Sequence, residues 1–335
     1  MKKLLAIAAA LLGLAAVAAI PFIVGVDATF AAIRRLGWAG LAAVVGNASL
    51  VLIAPGIAWW ILMRGEEVRV SPWQTLKACF MGFPVNMLTP SAQVGAEPLK
   101  TIYIARVSGA PKRQVLATVI VAKVQEAVGL VLGAVASCAI VLATADLSRS
   151  QRISMALVTG AMALVLALVI VGFCLNAQPT VRIVQWIACL GFRRRRMARL
   201  RRHAREMESM IHACFVHRPG RFLAAQAVTL ASAASNFLRP WIFFAFAGGS
   251  VSLEHLAGLY LVMNGINLIA FTPGSLGLFE GGMIGYFVKA GFGKEAGAAY
   301  ALSGRFADIT LLMAGVALIL QAGLMRAAKG KETDA

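Results

Sequence analysis

The chain has 335 residues, 60% of them hydrophobic and 14% charged, with a mean hydropathy of +0.79. A soluble domain carries about half apolar and about a quarter charged residues, so the composition excludes one and predicts an all-α polytopic integral membrane protein. The net charge of +18 does not point to nucleic acid, because the basic residues cluster between apolar stretches and no aromatics interleave with them.

A membrane-spanning helix needs ~20 apolar residues. In chain order, full spans are predicted over 4–24, 38–63, 115–144, 153–175, 221–247 and 300–325. The first follows Lys2 and Lys3. Its apolar run is too long for a signal-peptide core and lacks a polar cleavage region, so it reads as a retained helix. Segments 73–89 and 256–290 are apolar but interrupted by Pro and Gly. Between the halves, 176–220 is a basic linker, with eight Arg packed into residues 193–205. The predicted organisation is one membrane domain over 1–335: a first half to about 175, the linker, a second half over 221–325 and a tail over 326–335.

The two interruptions match each other. Residues 86–97 read NMLTPSAQVGAE, and residues 267–280 read NLIAFTPGSLGLFE. Each places an Asn (Asn86, Asn267) upstream of a Thr-Pro (Thr89-Pro90, Thr272-Pro273). Each then has a Gly (Gly95, Gly277) shortly before a Glu (Glu97, Glu280). Carboxylates and helix breaks are costly at membrane depth unless they line a protein-enclosed cavity. Matched, Gly/Pro-interrupted segments in two halves of a chain point to a transporter binding site.

Charge sets the expected topology. With Lys2 and Lys3 cytoplasmic and both interrupted segments dipping in and returning, 22 Lys and Arg fall inside and 6 outside, as the positive-inside rule requires. Both termini are then cytoplasmic. The first hairpin opens to the cytoplasm and the second to the outside. The expected architecture is therefore about six full spans plus two re-entrant helical hairpins in an inverted repeat.

Glu97 and Glu280 are the leading candidate site residues. Each reads either as a proton site or cation ligand, or as an acceptor capping backbone N–H groups at a helix start. Asn86 and Asn267 can satisfy the backbone groups that a break frees, or touch substrate. Pro90, Pro273, Gly95, Gly274 and Gly277, with Thr89 and Thr272, shape the breaks. Lys123 and Glu126 share a helix face at i,i+3, and Arg305 and Asp308 repeat that spacing. Each pair either neutralises itself or faces the cavity. Arg239 and Arg305 are candidates for lipid phosphate, because a guanidinium fork is bidentate and always charged. Both can equally snorkel to the interface. The basic run Arg193, Arg194, Arg195 and Arg196 is a candidate for anionic membrane lipid, or for a topology anchor.

Five Cys and four His show no metal-ligand spacing. No GxGxxG after a strand, Walker A, HExxH or GxSxG sequence occurs. The expectation is neither an enzyme nor a cofactor binder.

The run from Asn86 to Lys100, with NLIAFTPGSLGLFEG and Arg305, resembles the two signatures of the lysylphosphatidylglycerol synthase transmembrane-domain family. That family is also called flippase-like or UPF0104. Glu126 resembles a family Glu in the helix after the first signature. The likeness covers nearly the whole chain, with two departures: Pro98 follows Glu97 directly, and Ser275 stands where a Gly is usual. The resemblance implies a membrane domain that moves lipid between leaflets, without the soluble synthase domain of larger members. It implies a flippase-like translocator of the bacterial inner membrane for a phospholipid or an isoprenoid or hopanoid-type lipid. The alternative is a non-transporting scaffold that recruits a lipid-biosynthetic enzyme.

Overall fold

The computed structural model describes residues 26–66, 68–89, 95–175, 205, 208–209, 211–212, 219–269 and 272–333. The expected span over 4–24, Pro90 and nearly all of the basic segment 192–210 lie outside the described residues. Among the described residues the fold is all-helical, with no strand.

The helices are α1 (Val26–Gly65), α2 (Pro72–Leu88), α3 (Glu97–Ser108), α4 (Lys112–Thr144), α5 (Arg149–Cys174), α6 (Pro219–Ala247), α7 (Leu253–Ile269), α8 (Leu278–Lys289) and α9 (Lys294–Thr333). A 3₁₀ turn, Pro273–Ser275, precedes α8. Among the described residues, four stretches are long and apolar enough to cross a membrane: Ile33–Arg64, Lys112–Thr144, Arg149–Gly172 and Lys294–Ala322. The expected span over 221–247 forms as α6 but is not among these four. Gln226, Ser232, Ser235, Asn236 and Arg239 interrupt its apolar sequence. The protein is multi-pass: four of the six expected spans are among these, and the expected span over 4–24 lies outside the described residues.

Both interrupted segments fold as helix, break, helix. The first is α2–α3 and the second is α7–α8. Helix α2 starts on a capping box in which Ser71 and Gln74 satisfy each other's backbone N–H. It ends at Leu88, where Thr89 turns to extended backbone. Asn86 reaches across this break and accepts the Ala96 N–H at 2.8 Å.

Internal prolines free carbonyls that neighbouring helices then use. Pro55 frees the Val51 carbonyl in α1, and Ser232 on α6 donates its hydroxyl to it at 3.0 Å. Pro84 frees the Phe80 carbonyl in α2. Helix α9 passes this carbonyl at Gly315, where any Cβ would collide with the Phe80 oxygen and sit 2.6 Å from Pro84 Cδ.

The helices pack in corresponding pairs. Helix α1 packs on α6, with Asn47 bonded to Ser235, Val51 to Ser232 and Arg64 to Arg221. One number rises as the other falls, so the two helices run antiparallel. Helix α2 packs on α9, and α7 packs on α4. Helix α3 packs on α4, and α8 packs on α9. Each hairpin thus leans its second helix on the long helix of its own half and its first helix on that of the other half. Helix α5 packs on α4 and exposes Leu157, Val158, Leu164, Val165 and Leu168. An apolar surface of that extent suits hydrocarbon.

Candidate functional site

The two hairpin breaks meet. A Cβ at Gly274 would lie 3.2 Å from Met87 Cγ, so the second break rests on the end of α2. Gly274 has φ +59 and Gly277 φ +81, left-handed values that suit glycine. Ser275 between them has φ 55, the one described non-glycine residue at positive φ. Its hydroxyl donates to Asn267 Oδ1 at 3.2 Å.

Beside this meeting point lies a cavity of about 370 Å³, the size of a small-molecule or headgroup site. Asn86, Thr89 and Glu97 line it from the first hairpin, and Asn267, Thr272 and Gly274 from the second. Lys123 and Glu126 line it from α4, Arg239 from α6, and Arg305 and Asp308 from α9. Glu280 and the turn residues Gly95 and Gly277 are not lining residues. Pro273 lies in the 3₁₀ turn.

Two matching charge chains run into the cavity. In the first half, Glu97 Oε1 lies 3.2 Å from Lys100 Nζ and 3.2 Å from Lys123 Nζ. Lys123 Nζ also lies 2.7 Å from Glu126 Oε2. In the second half, Arg305 Nε donates to Glu280 Oε1, and Arg305 Nη1 lies 3.3 Å from Asp308 Oδ2. Each chain runs from a hairpin carboxylate to a cation on the next long helix, then to a carboxylate one turn on. Arg305 follows Lys123 by 182 residues, Asp308 follows Glu126 by 182, and Glu280 follows Glu97 by 183.

The chains differ where the two Glu residues sit. Glu280 is 1% exposed. One of its oxygens accepts the Gly277 N–H at 2.7 Å, the backbone half of a capping box, and the other takes Arg305. Arg305 also donates to the Gly274 carbonyl at 2.9 Å and lies 5.4 Å over the Phe279 ring. It therefore clamps both sides of the second break. Glu97 begins α3 and carries two ammonium groups. Position 283, which stands three residues past Glu280 as Lys100 stands past Glu97, is a methionine. Buried ion pairs of this kind hold geometry more than they add stability, but removing one partner leaves a costly buried charge.

Several lining residues were not singled out from sequence. Asn236 and Asn264 are polar positions inside apolar helices, and that is the signal they carry. Lys100 follows Glu97 at i,i+3, the same spacing as the two pairs that were noticed. Among the described residues no group of His, Cys, Asp or Glu could hold a metal ion.

Comparison with known proteins bears on these features. A family model described as "Lysylphosphatidylglycerol synthase TM region" matches residues 7–315. A "UPF0104 membrane protein" from Methanothermobacter thermautotrophicus is 26% identical over 321 residues, covering 92% of this chain and 93% of the relative. No solved structure matches the chain.

Proposed function

The chain belongs to the lysylphosphatidylglycerol synthase TM-region family, and from that premise we propose that it is a flippase-like lipid translocator of the bacterial inner membrane. Its cargo is a phospholipid or an isoprenoid or hopanoid-type lipid. The headgroup crosses through the charged cavity while the tails stay in the bilayer.

One observation carries this reading. A cavity of about 370 Å³, lined by charged and amide side chains from both hairpins, lies inside a molecule with a broad apolar surface. Charged groups at such depth mark substrate or ion paths. A simple scaffold has no need of them.

We read the two halves as an inverted repeat whose broken helices re-enter the membrane from opposite faces. The antiparallel run of α1 against α6, the exchange of α2 and α7 onto the opposite long helices, and the matched charge chains support this. Inverted repeats with broken helices put their site at the midplane. The charge bias then sets both termini in the cytoplasm.

The test is the purified protein in liposomes with a headgroup-labelled phospholipid and a membrane-impermeant quencher. Translocation predicts that the inner-leaflet label becomes quenchable in protein-containing vesicles. A protected inner leaflet, for phospholipid and polyprenyl lipid alike, overturns the proposal in favour of a scaffold.

A further inference from the structure

The cavity contains a charge that its architecture does not use. Two halves that share a fold need the same parts to build their breaks: a Thr-Pro, a Gly, a Glu, a cation and a second carboxylate. Glu97, Lys123 and Glu126 correspond in this way to Glu280, Arg305 and Asp308. Lys100 has no counterpart, but it is spent on Glu97. Arg239 is different. The residue 182 positions before it is Ile57, so no matching charge exists in the first half.

Arg239 is also unpaired. Its Nε donates to Asn47 Oδ1 at 3.4 Å, at the long end for a hydrogen bond. No carboxylate lies within ion-pair distance of it among the described residues. Its two terminal nitrogens make no hydrogen bond among the described residues, yet the side chain lines the cavity. A second observation lies across the same space. Nη2 of Arg305 is buried without a hydrogen-bond partner, while its other nitrogens are held by Glu280, Gly274 and Asp308. Arg239 therefore lines the cavity with its terminal donors unspent, and Arg305, whose spare Nη2 is enclosed, lines the same cavity.

We propose that Arg239, with Arg305 beside it on the cavity wall, forms an anion subsite for a phosphate group. The chemistry favours phosphate because a guanidinium binds its oxygens by parallel, charge-assisted hydrogen bonds. Asp308 shares the cavity within electrostatic reach of Arg239, but its ion pair is with Arg305. The polar face of α6 beside Arg239, formed by Thr229, Ser232 and Asn236, gives neutral partners for the rest of a headgroup. As a statement about cargo, this rests on the translocation reading. As a statement about binding, it stands alone.

The test measures binding and movement separately. In detergent, the melting temperature is followed with dioctanoyl phosphatidylglycerol, with dioctanoylglycerol and with inorganic phosphate. Dioctanoyl phosphatidylglycerol is expected to stabilise the wild type, and dioctanoylglycerol is not. Arg239→Gln should weaken the apparent affinity about tenfold, the effect of one charge-assisted hydrogen bond. Arg239→Lys should keep part of it. Stabilisation by inorganic phosphate as well, lost in Arg239→Gln, identifies a site for the free anion. Stabilisation by the lipid alone identifies a headgroup site. Equal shifts with dioctanoylglycerol, or unchanged phosphatidylglycerol affinity in a folded Arg239→Gln, overturn the subsite. Arg239-dependent binding without lipid movement in wild-type liposomes keeps the subsite and removes the translocation reading. Movement with phosphate binding indifferent to Arg239 does the reverse.

Discussion

Lys123 on α4 holds Glu97 on the first hairpin across a 3.2 Å ion pair, and Arg305 on α9 holds Glu280 on the second in the same way. The two links are not equally replaceable. Glu97 keeps Lys100 if Lys123 is lost, whereas Glu280 keeps just a backbone N–H if Arg305 is lost.

Arg305→Met should therefore destabilise the protein by about 3–5 kcal/mol, the cost of breaking a buried pair and leaving its partner charged. Lys123→Met should cost about 1–3 kcal/mol, because Glu97 remains half compensated. Thermal melting of the two variants in one detergent checks the order. The reverse order would show that the Lys100 contact carries none of the load.

The two glutamates should separate in function. Glu97→Gln keeps an acceptor for Lys100 and Lys123, and Lys123 keeps Glu126, so some stability is lost at Lys100 but folded protein should still reconstitute, while lipid movement per folded molecule falls because a cavity charge is gone. Glu280→Gln should lose folded protein first, since its carboxylate holds Arg305 and the start of α8. Movement per reconstituted molecule, measured beside yield, distinguishes these. A Glu97→Gln protein that moves lipid at the wild-type rate would leave that carboxylate a structural part.

Ser275 occupies a left-handed backbone that costs a non-glycine residue of order 1 kcal/mol. Ser275→Gly should be neutral or slightly stabilising, since it relieves strain and gives up a 3.2 Å hydrogen bond. Ser275→Val should destabilise by about 2 kcal/mol, with a β-branched residue at positive φ and Asn267 unsatisfied. Melting temperatures of the two variants should bracket the wild type.

Gly315 allows α9 to approach the freed carbonyl of Phe80. Gly315→Leu should push α9 off α2 and prevent accumulation of folded protein, an overpacking cost of about 3 kcal/mol or more. Gly46→Ala makes the control. That site on α1 has open space around it, so alanine should be neutral or stabilising by about 0.5–1 kcal/mol. Size-exclusion profiles of the two variants give the comparison.

Much of the site was legible in the sequence because its signals are local. Thr-Pro breaks, charges inside apolar runs and i,i+3 pairs can be read from spacing alone. The link from Glu97 to Lys123 is not local, since they stand 26 positions apart on different helices, and it exists only once α3 lies on α4. The unlike fates of Glu97 and Glu280 were hidden for a related reason. Their motifs match, but a second cation, Lys100, stands one turn past Glu97 where Met283 stands past Glu280. Hydropathy likewise named the long helices, α6 among them, although the polar residues of α6 that face α1 and the cavity lower its apolar character.

The exchange of first hairpin helices between the halves has a consequence for biosynthesis. As the chain leaves the ribosome, α2 emerges more than two hundred residues before the stretch of α9 that covers it. Until then its proline-opened carbonyl at Phe80 has no close neighbour from α9, and its hairpin has half its support. The N-terminal half thus reaches the membrane as an incomplete object and is finished by the last helix to arrive. A nascent chain stopped before residue 294 should present that unfinished groove to quality-control proteases, and a separately made C-terminal half should be able to close it.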